Sequence, residues 1–150
     1  MKYFDFFRKD RWIGEGTIVI EDENETYPMV MKILMKNVNE KSPILEFSTL
    51  IKMDSAEEAM ENFYTLTMHR NNKFHMLIAG VNWGHVEGSG FFKDNFIGWD
   101  VVSPDGLFHG YESLEIKKDG ELIFFGEYAT GSSMRTKIRG RLTSYENVPS

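Results

Sequence analysis

A chain of 150 residues, 41% hydrophobic and 14% aromatic, is long enough for one globular domain that buries roughly 70% of the surface its unfolded form exposes. Its net charge of −6 argues against a nucleic-acid footprint, which needs a basic stripe, and the lack of cysteine removes disulfide and thiolate chemistry, fitting a reducing, cytoplasmic setting. No apolar run approaches membrane-spanning length, and Met1 to Arg8 carries charges in its apolar part and no small-residue cleavage site, unlike a signal peptide.

Residues 3 to 10 read as a short helical turn or plug, with Phe4 and Phe7 one turn apart. A first strand runs from Trp12 to about Glu21, turning Trp12, Gly14, Gly16, Ile18 and Ile20 inward, and the acidic stretch Glu21 to Glu25 is a solvated loop. Tyr27 to Lys36 alternates Tyr27, Met29, Met31, Ile33 and Met35 against Lys32 and Lys36. After a turn region over Asn37 to Pro43, Ile44 to Met53 forms a third strand with Leu45, Phe47, Thr49, Ile51 and Met53 inward. Ser55-Ala56-Glu57-Glu58 has the pattern of a capping box and predicts one helical turn through Met60.

Phe63 to Arg70 and Lys73 to Val81 are expected to pair across Asn71-Asn72, a dipeptide tolerant of positive φ, which sets Met68 against His75 and Leu66 against Leu77. Asn82-Trp83-Gly84 is irregular, and His85 to Lys93 turns at Asp94-Asn95 into Phe96 to Ser103. Ser103-Pro104-Asp105-Gly106 reads as a type I turn with a following bulge, placing Asp100 opposite Gly110 and Gly98 opposite Glu112. A slip of one residue there would exchange Asp100 for Trp99. Asp119-Gly120 as a two-residue loop puts Glu112 opposite Glu127 and Leu114 opposite Phe125. Gly131-Ser132 as the next loop puts Glu127 opposite Thr136. The last strand then turns Met134, Thr136, Ile138, Gly140 and Leu142 inward and Arg135, Lys137, Arg139 and Arg141 outward, with Phe124 and Tyr128 across from them.

The result is an all-β chain of about ten hairpin-linked strands, expected to close as an up-and-down antiparallel β-barrel spanning residues 1 to 150 as a single domain. Trp12-x-Gly14-x-Gly16 in the first strand, an arginine-bearing last strand and the meander between them resemble the calycin superfamily, which includes lipocalins, fatty-acid-binding proteins and nitrobindin-like barrels. That resemblance implies an interior cavity for a small apolar or amphipathic ligand and a structural Trp12 closing one barrel end beneath Arg139 or Arg141. The chain departs from fatty-acid-binding proteins in having no helix-turn-helix lid after the first strand. It departs from nitrobindin-like haem barrels in having no histidine after His109.

The expected ligand-binding set has an apolar part, Met29, Met31, Phe47, Leu66, Phe96 and Phe125, and a polar part, Asp100, Glu112, Glu127 and Thr136. Interior carboxylates raise one another's pKa values through burial and repulsion and favour a ligand with donors or positive charge over a fatty acid. The same acids would serve an isomerase or lyase on a small substrate, the alternative to binding alone. His85, Glu87 and Ser89 share one strand face near Asp100, but residues two apart do not set a nucleophile against its base, so no catalytic residue is assigned. Four scattered histidines without a His-x-His pair supply no metal site, and no cofactor is assigned. The expected partner is a small molecule, with no nucleic acid and no membrane, and a homodimer is left open. The outward cationic ladder of the last strand reads as a solvated sheet face.

Overall fold

The computed structural model describes residues 6, 9–36, 42–80, 84–131 and 134–145. Ten strands follow one another: β1 (Arg11–Ile20), β2 (Glu25–Lys36), β3 (Ile44–Met53), β4 (Met60–Met68), β5 (Lys73–Gly80), β6 (Gly84–Lys93), β7 (Phe96–Val102), β8 (Phe108–Ile116), β9 (Leu122–Thr130) and β10 (Met134–Tyr145). Each pairs antiparallel with its sequence neighbours, and β1 pairs with β10, so the sheet closes into an up-and-down barrel without an exposed edge. A 3₁₀ turn over Glu21–Glu23 joins β1 to β2. The helical turn expected at Ser55 to Met60 is instead a pair of non-helical turns that starts with Ala56 N–H donating to the Met53 carbonyl. Phe4, Phe7, Asn82 and Trp83 lie outside the described residues.

The closing seam depends on glycine. A Cβ at Gly14 or Gly16 would come within 2 Å of the Arg141 or Arg139 carbonyl oxygen, so β1 approaches β10 closely only because both positions lack a side chain. Alternation does the rest. Met29, Met31 and Ile33 of β2, Leu45 and Phe47 of β3, and Leu66 of β4 point inward and are almost wholly buried, while Lys32, Glu46 and other neighbours face water.

The interior is unequal along its length. At the end carrying the β2–β3, β4–β5, β6–β7 and β8–β9 connections, Phe6 stacks on Trp12 at 6.1 Å, meets Phe47 edge-on at 5.3 Å and accepts the Trp12 indole N–H on its carbonyl at 3.2 Å. Leu45, Leu66, Leu122 and Leu142 complete a sealed apolar floor. Trp12 therefore closes one barrel end under Phe6, not under Arg139 or Arg141, whose side chains face outward into solvent. At the opposite end Ile20, Tyr27, Met53, Phe108 and Thr136 are only partly buried, and Met60 is 43% exposed.

Four hairpins differ from the sequence reading by one residue each. Lys117 N–H bonds the Glu121 carbonyl and Gly120 N–H bonds the Lys117 carbonyl, with Gly120 at φ +88°, so the loop holds three residues and Glu112 lies opposite Gly126. At β9–β10 the loop again gains a residue, and the second shift cancels the first, leaving the faces of β10 as expected. The Asn71-Asn72 turn has the positive φ values expected of it, 61° and 59°, but an adjoining bulge sets Leu66 against Met76 and Met68 against Phe74. Between β7 and β8, Asp105 caps the Leu107 N–H and the Ser103 hydroxyl accepts from Phe108 N–H, lengthening the loop so that Trp99 lies opposite Glu112.

Candidate functional site

Glu112 of β8 sits inside the barrel, 4% exposed, and is an acid among apolar neighbours. Three donors from three other strands converge on it. The Tyr64 hydroxyl of β4 lies 3.0 Å from both carboxylate oxygens, the Trp99 indole N–H of β7 donates to Oε1 at 3.1 Å, and the Tyr128 hydroxyl of β9 donates to Oε2 at 2.5 Å. Burial raises the Glu112 carboxyl above its ordinary value, and the bonds from Tyr128, Trp99 and Tyr64 oppose that rise without cancelling it. Burial, and then the charge of Glu112, pushes the Tyr64 and Tyr128 hydroxyls well above the ordinary tyrosine value. Both phenols are therefore neutral donors at physiological pH.

Local sequence makes the cluster possible. Gly126, directly opposite Glu112, leaves room for the Tyr128 side chain to fold back, since a Cβ there would come 2.3 Å from the Tyr128 hydroxyl. Gly90 in the same way makes space for Phe74 and Trp99. Tyr64 is held by Phe47, stacked on it at 4.4 Å, and Trp99 meets Tyr64 edge-on at 5.8 Å. The aromatic array thus joins the sealed floor to the carboxylate.

Beside the cluster two buried oxygens have no hydrogen-bond partner among the described residues, Thr49 Oγ1 of β3 and Asn62 Oδ1 of β4, and their residues lie directly opposite each other on paired strands. The Thr49 hydroxyl lies near Tyr64, short of a hydrogen bond, and acts against the rise in its pKa that burial and Glu112 cause. Buried orphans of this kind mark places where another polar group belongs. Because Tyr64, Tyr128 and Trp99 all spend their hydrogens on Glu112, what the phenols offer anything else in the lumen is acceptor oxygen.

Of the expected ligand-binding residues, Met29, Met31, Phe47, Leu66, Glu112 and Thr136 do face the lumen. Phe96, Asp100, Phe125 and Glu127 do not. The one-residue shifts carry them to the outer wall, where Phe96 lies against Phe91, Phe125 against Tyr111, Asp100 accepts the Ser89 N–H at 2.9 Å, and Glu127 pairs across to Lys137. The expected cluster of three acids is therefore a single acid ringed by Tyr64, Trp99 and Tyr128, and Phe124 and Tyr128 face inward, not outward. A loop one residue longer than assumed accounts for each exchange.

No protein-family model matches the chain, and no curated protein is significantly similar to it in sequence. The histidines bear on the haem-binding branch of the resemblance. His69, His75, His85 and His109 are all exposed, in the β4–β5 turn or on the outer wall, so the residues present do not fit an interior histidine-ligated haem. His85, Glu87 and Ser89 share one face of β6 as expected, and with Asp100 they all face outward, Asp100 bonded to a main-chain N–H.

Proposed function

We propose that the chain is a calycin-like barrel that binds a small organic molecule in the less sealed half of its lumen, above the Phe6–Trp12 floor. The observation that carries this reading is the buried Glu112, met by three donors that leave it a lone pair to spare, with the Thr49 and Asn62 oxygens beside it lacking partners among the described residues. A barrel that needed only a dry core would be served at least as well by apolar residues, since burying a carboxylate costs several kcal/mol unless every lone pair is met. Ten strands also enclose a wider lumen than the eight that suffice for one small ligand.

The ligand carries hydrogen-bond donors or a positive charge. Below the rim the inward-facing described residues include Glu112 and no lysine, arginine or histidine, so nothing there neutralises an anion. The rim adds Glu23 and Glu25, both within bonding reach of the Tyr27 hydroxyl. Met29, Met53 and Ile18 supply the adaptable apolar lining.

Matched six-carbon probes test this: hexylamine, hexanol and hexanoate, titrated by calorimetry into the full chain. The amine and alcohol are expected to bind about ten-fold tighter than the acid, and Glu112→Gln to erase most of the amine's advantage. Equal binding of all three, or none of any, overturns the reading. A second role, proton transfer by Glu112 on a small substrate, draws support from the burial that raises its carboxyl. A pH–rate profile that vanishes in Glu112→Gln would establish it.

A further inference from the structure

The outer wall carries an open concavity of about 850 Å³ across β5 to β8. Its shape follows from residue size. His75, Ser89, Asp100 and Tyr111 stand side by side across the four strands, and Lys73, Phe91 and Gly98 form the next row. The small Ser89 and Gly98 lie in the middle and aromatic rings rise around them. Phe91 is 47% exposed, Tyr111 is 45% exposed, and the Phe96 ring folds over Gly98 so closely that a Cβ there would meet it at 2.8 Å. Three aromatic side chains lining one concavity, two of them about half exposed, form an apolar patch of the kind that marks a binding surface.

The wall is also irregular here. Regular pairing of β6 with β7 lapses between Glu87–Val102 and Gly90–Trp99, and the Asp100 carboxylate, not a main-chain carbonyl, takes the Ser89 N–H. Asp100 is exposed, so its remaining lone pairs stay open to a further donor. At the β4–β5 end stand exposed His69, Arg70 and Lys73, and neither Arg70 nor Lys73 makes an ion pair among the described residues. His75 faces Glu87 at 3.8 Å. Cations therefore gather at one end of an aromatic cleft on a chain whose net charge is −6.

We propose that this cleft binds a nucleotide-like small molecule, a flat aromatic ring joined through a hydroxyl- or amine-bearing linker to a phosphate. The ring lies against Phe91 and Tyr111, Asp100 accepts from the linker, and Arg70 with Lys73 takes the phosphate. The volume falls in the range of small-molecule sites, about 300–1,000 Å³. The overall negative charge disfavours a polyanionic strand and selects the free mononucleotide.

Calorimetric titration of the full chain with adenosine monophosphate, adenosine and inorganic phosphate tests the assignment. The mononucleotide is expected to bind about ten-fold tighter than either fragment. Arg70→Ala combined with Lys73→Ala should weaken it about ten-fold while leaving adenosine within about two-fold, and Phe91→Ala should weaken both. All three positions are exposed, so thermal melts of the variants should match the parent and any loss reports on binding. Absence of mononucleotide binding at millimolar concentration, indifference to the double variant, or tighter binding of a short oligodeoxyadenylate would each overturn the proposal. None of these outcomes depends on whether hexylamine enters the lumen.

Discussion

Both ends of this barrel are built from the same alternating strands, yet one is lined inside by hydrocarbon alone while the other sets polar side chains among apolar ones. At the sealed end Phe6, Trp12, Phe47, Leu45 and Leu66 exclude water almost completely, and their contribution is the burial of apolar area. Toward the other end the same inward positions hold Glu112, Thr49, Asn62, Tyr128 and Thr136, which add little net stability and require partners. A strand needs apolar inward residues only where a core must be made. Where polar ones appear instead, each must find a partner, as Glu112 does in Tyr64, Trp99 and Tyr128.

That contrast gives a graded set of outcomes in urea denaturation. Phe47→Ala at the sealed end should cost about 3–5 kcal/mol, since it removes a ring packed against Phe6, Tyr64 and Trp99 together. Glu112→Leu should cost about 2–4 kcal/mol by stranding the Tyr64, Tyr128 and Trp99 donors in a dry interior. Met53→Ala, in the partly exposed half, should cost no more than about 1–2 kcal/mol. Asp100→Asn and Glu127→Gln on the outer wall should stay within about 0.5 kcal/mol, and a loss comparable to that of Glu112→Leu would place those acids inside.

The buried carboxylate also gives a pH dependence of definite sign. Because the folded-state value of Glu112 is raised by burial, the folded chain holds this proton more tightly than the unfolded one. Its contribution to stability is present in full below the unfolded value and is lost as pH rises through the raised folded value. Wild type should therefore lose stability over that window more steeply than Glu112→Gln, and parallel slopes would contradict the burial.

The closed all-β barrel was legible in the sequence because strand identity rests on alternation, which survives small errors in loop length. Met29, Met31, Phe47 and Leu66 were readable as inward for the same reason, as each sits in a long strand with clear polar alternation. The site was only partly legible, because its register depends on turns. Asp119-Gly120 is as compatible with a three-residue loop and bulge as with a two-residue one, and that single residue exchanged Glu127 for Tyr128. Asp100 gave way to Trp99 by the same slip, the one foreseen as the weak point of that hairpin. Tyr64, which lies opposite Phe47 on the next strand, could have been found by extending the inward face from Leu66 by two residues. The pairing of Thr49 with Asn62 could not, since nothing in their local sequence marks either as lacking a partner.

Carboxyl-resolved NMR of the Glu112 side chain, followed by pH titration with and without hexylamine, tests the central claim most directly. A midpoint above the ordinary glutamate range that moves when the amine is added is the predicted result. A midpoint within the ordinary range, unmoved by the amine, would show a carboxylate standing in water and would contradict both its burial and the ligand placed beside it.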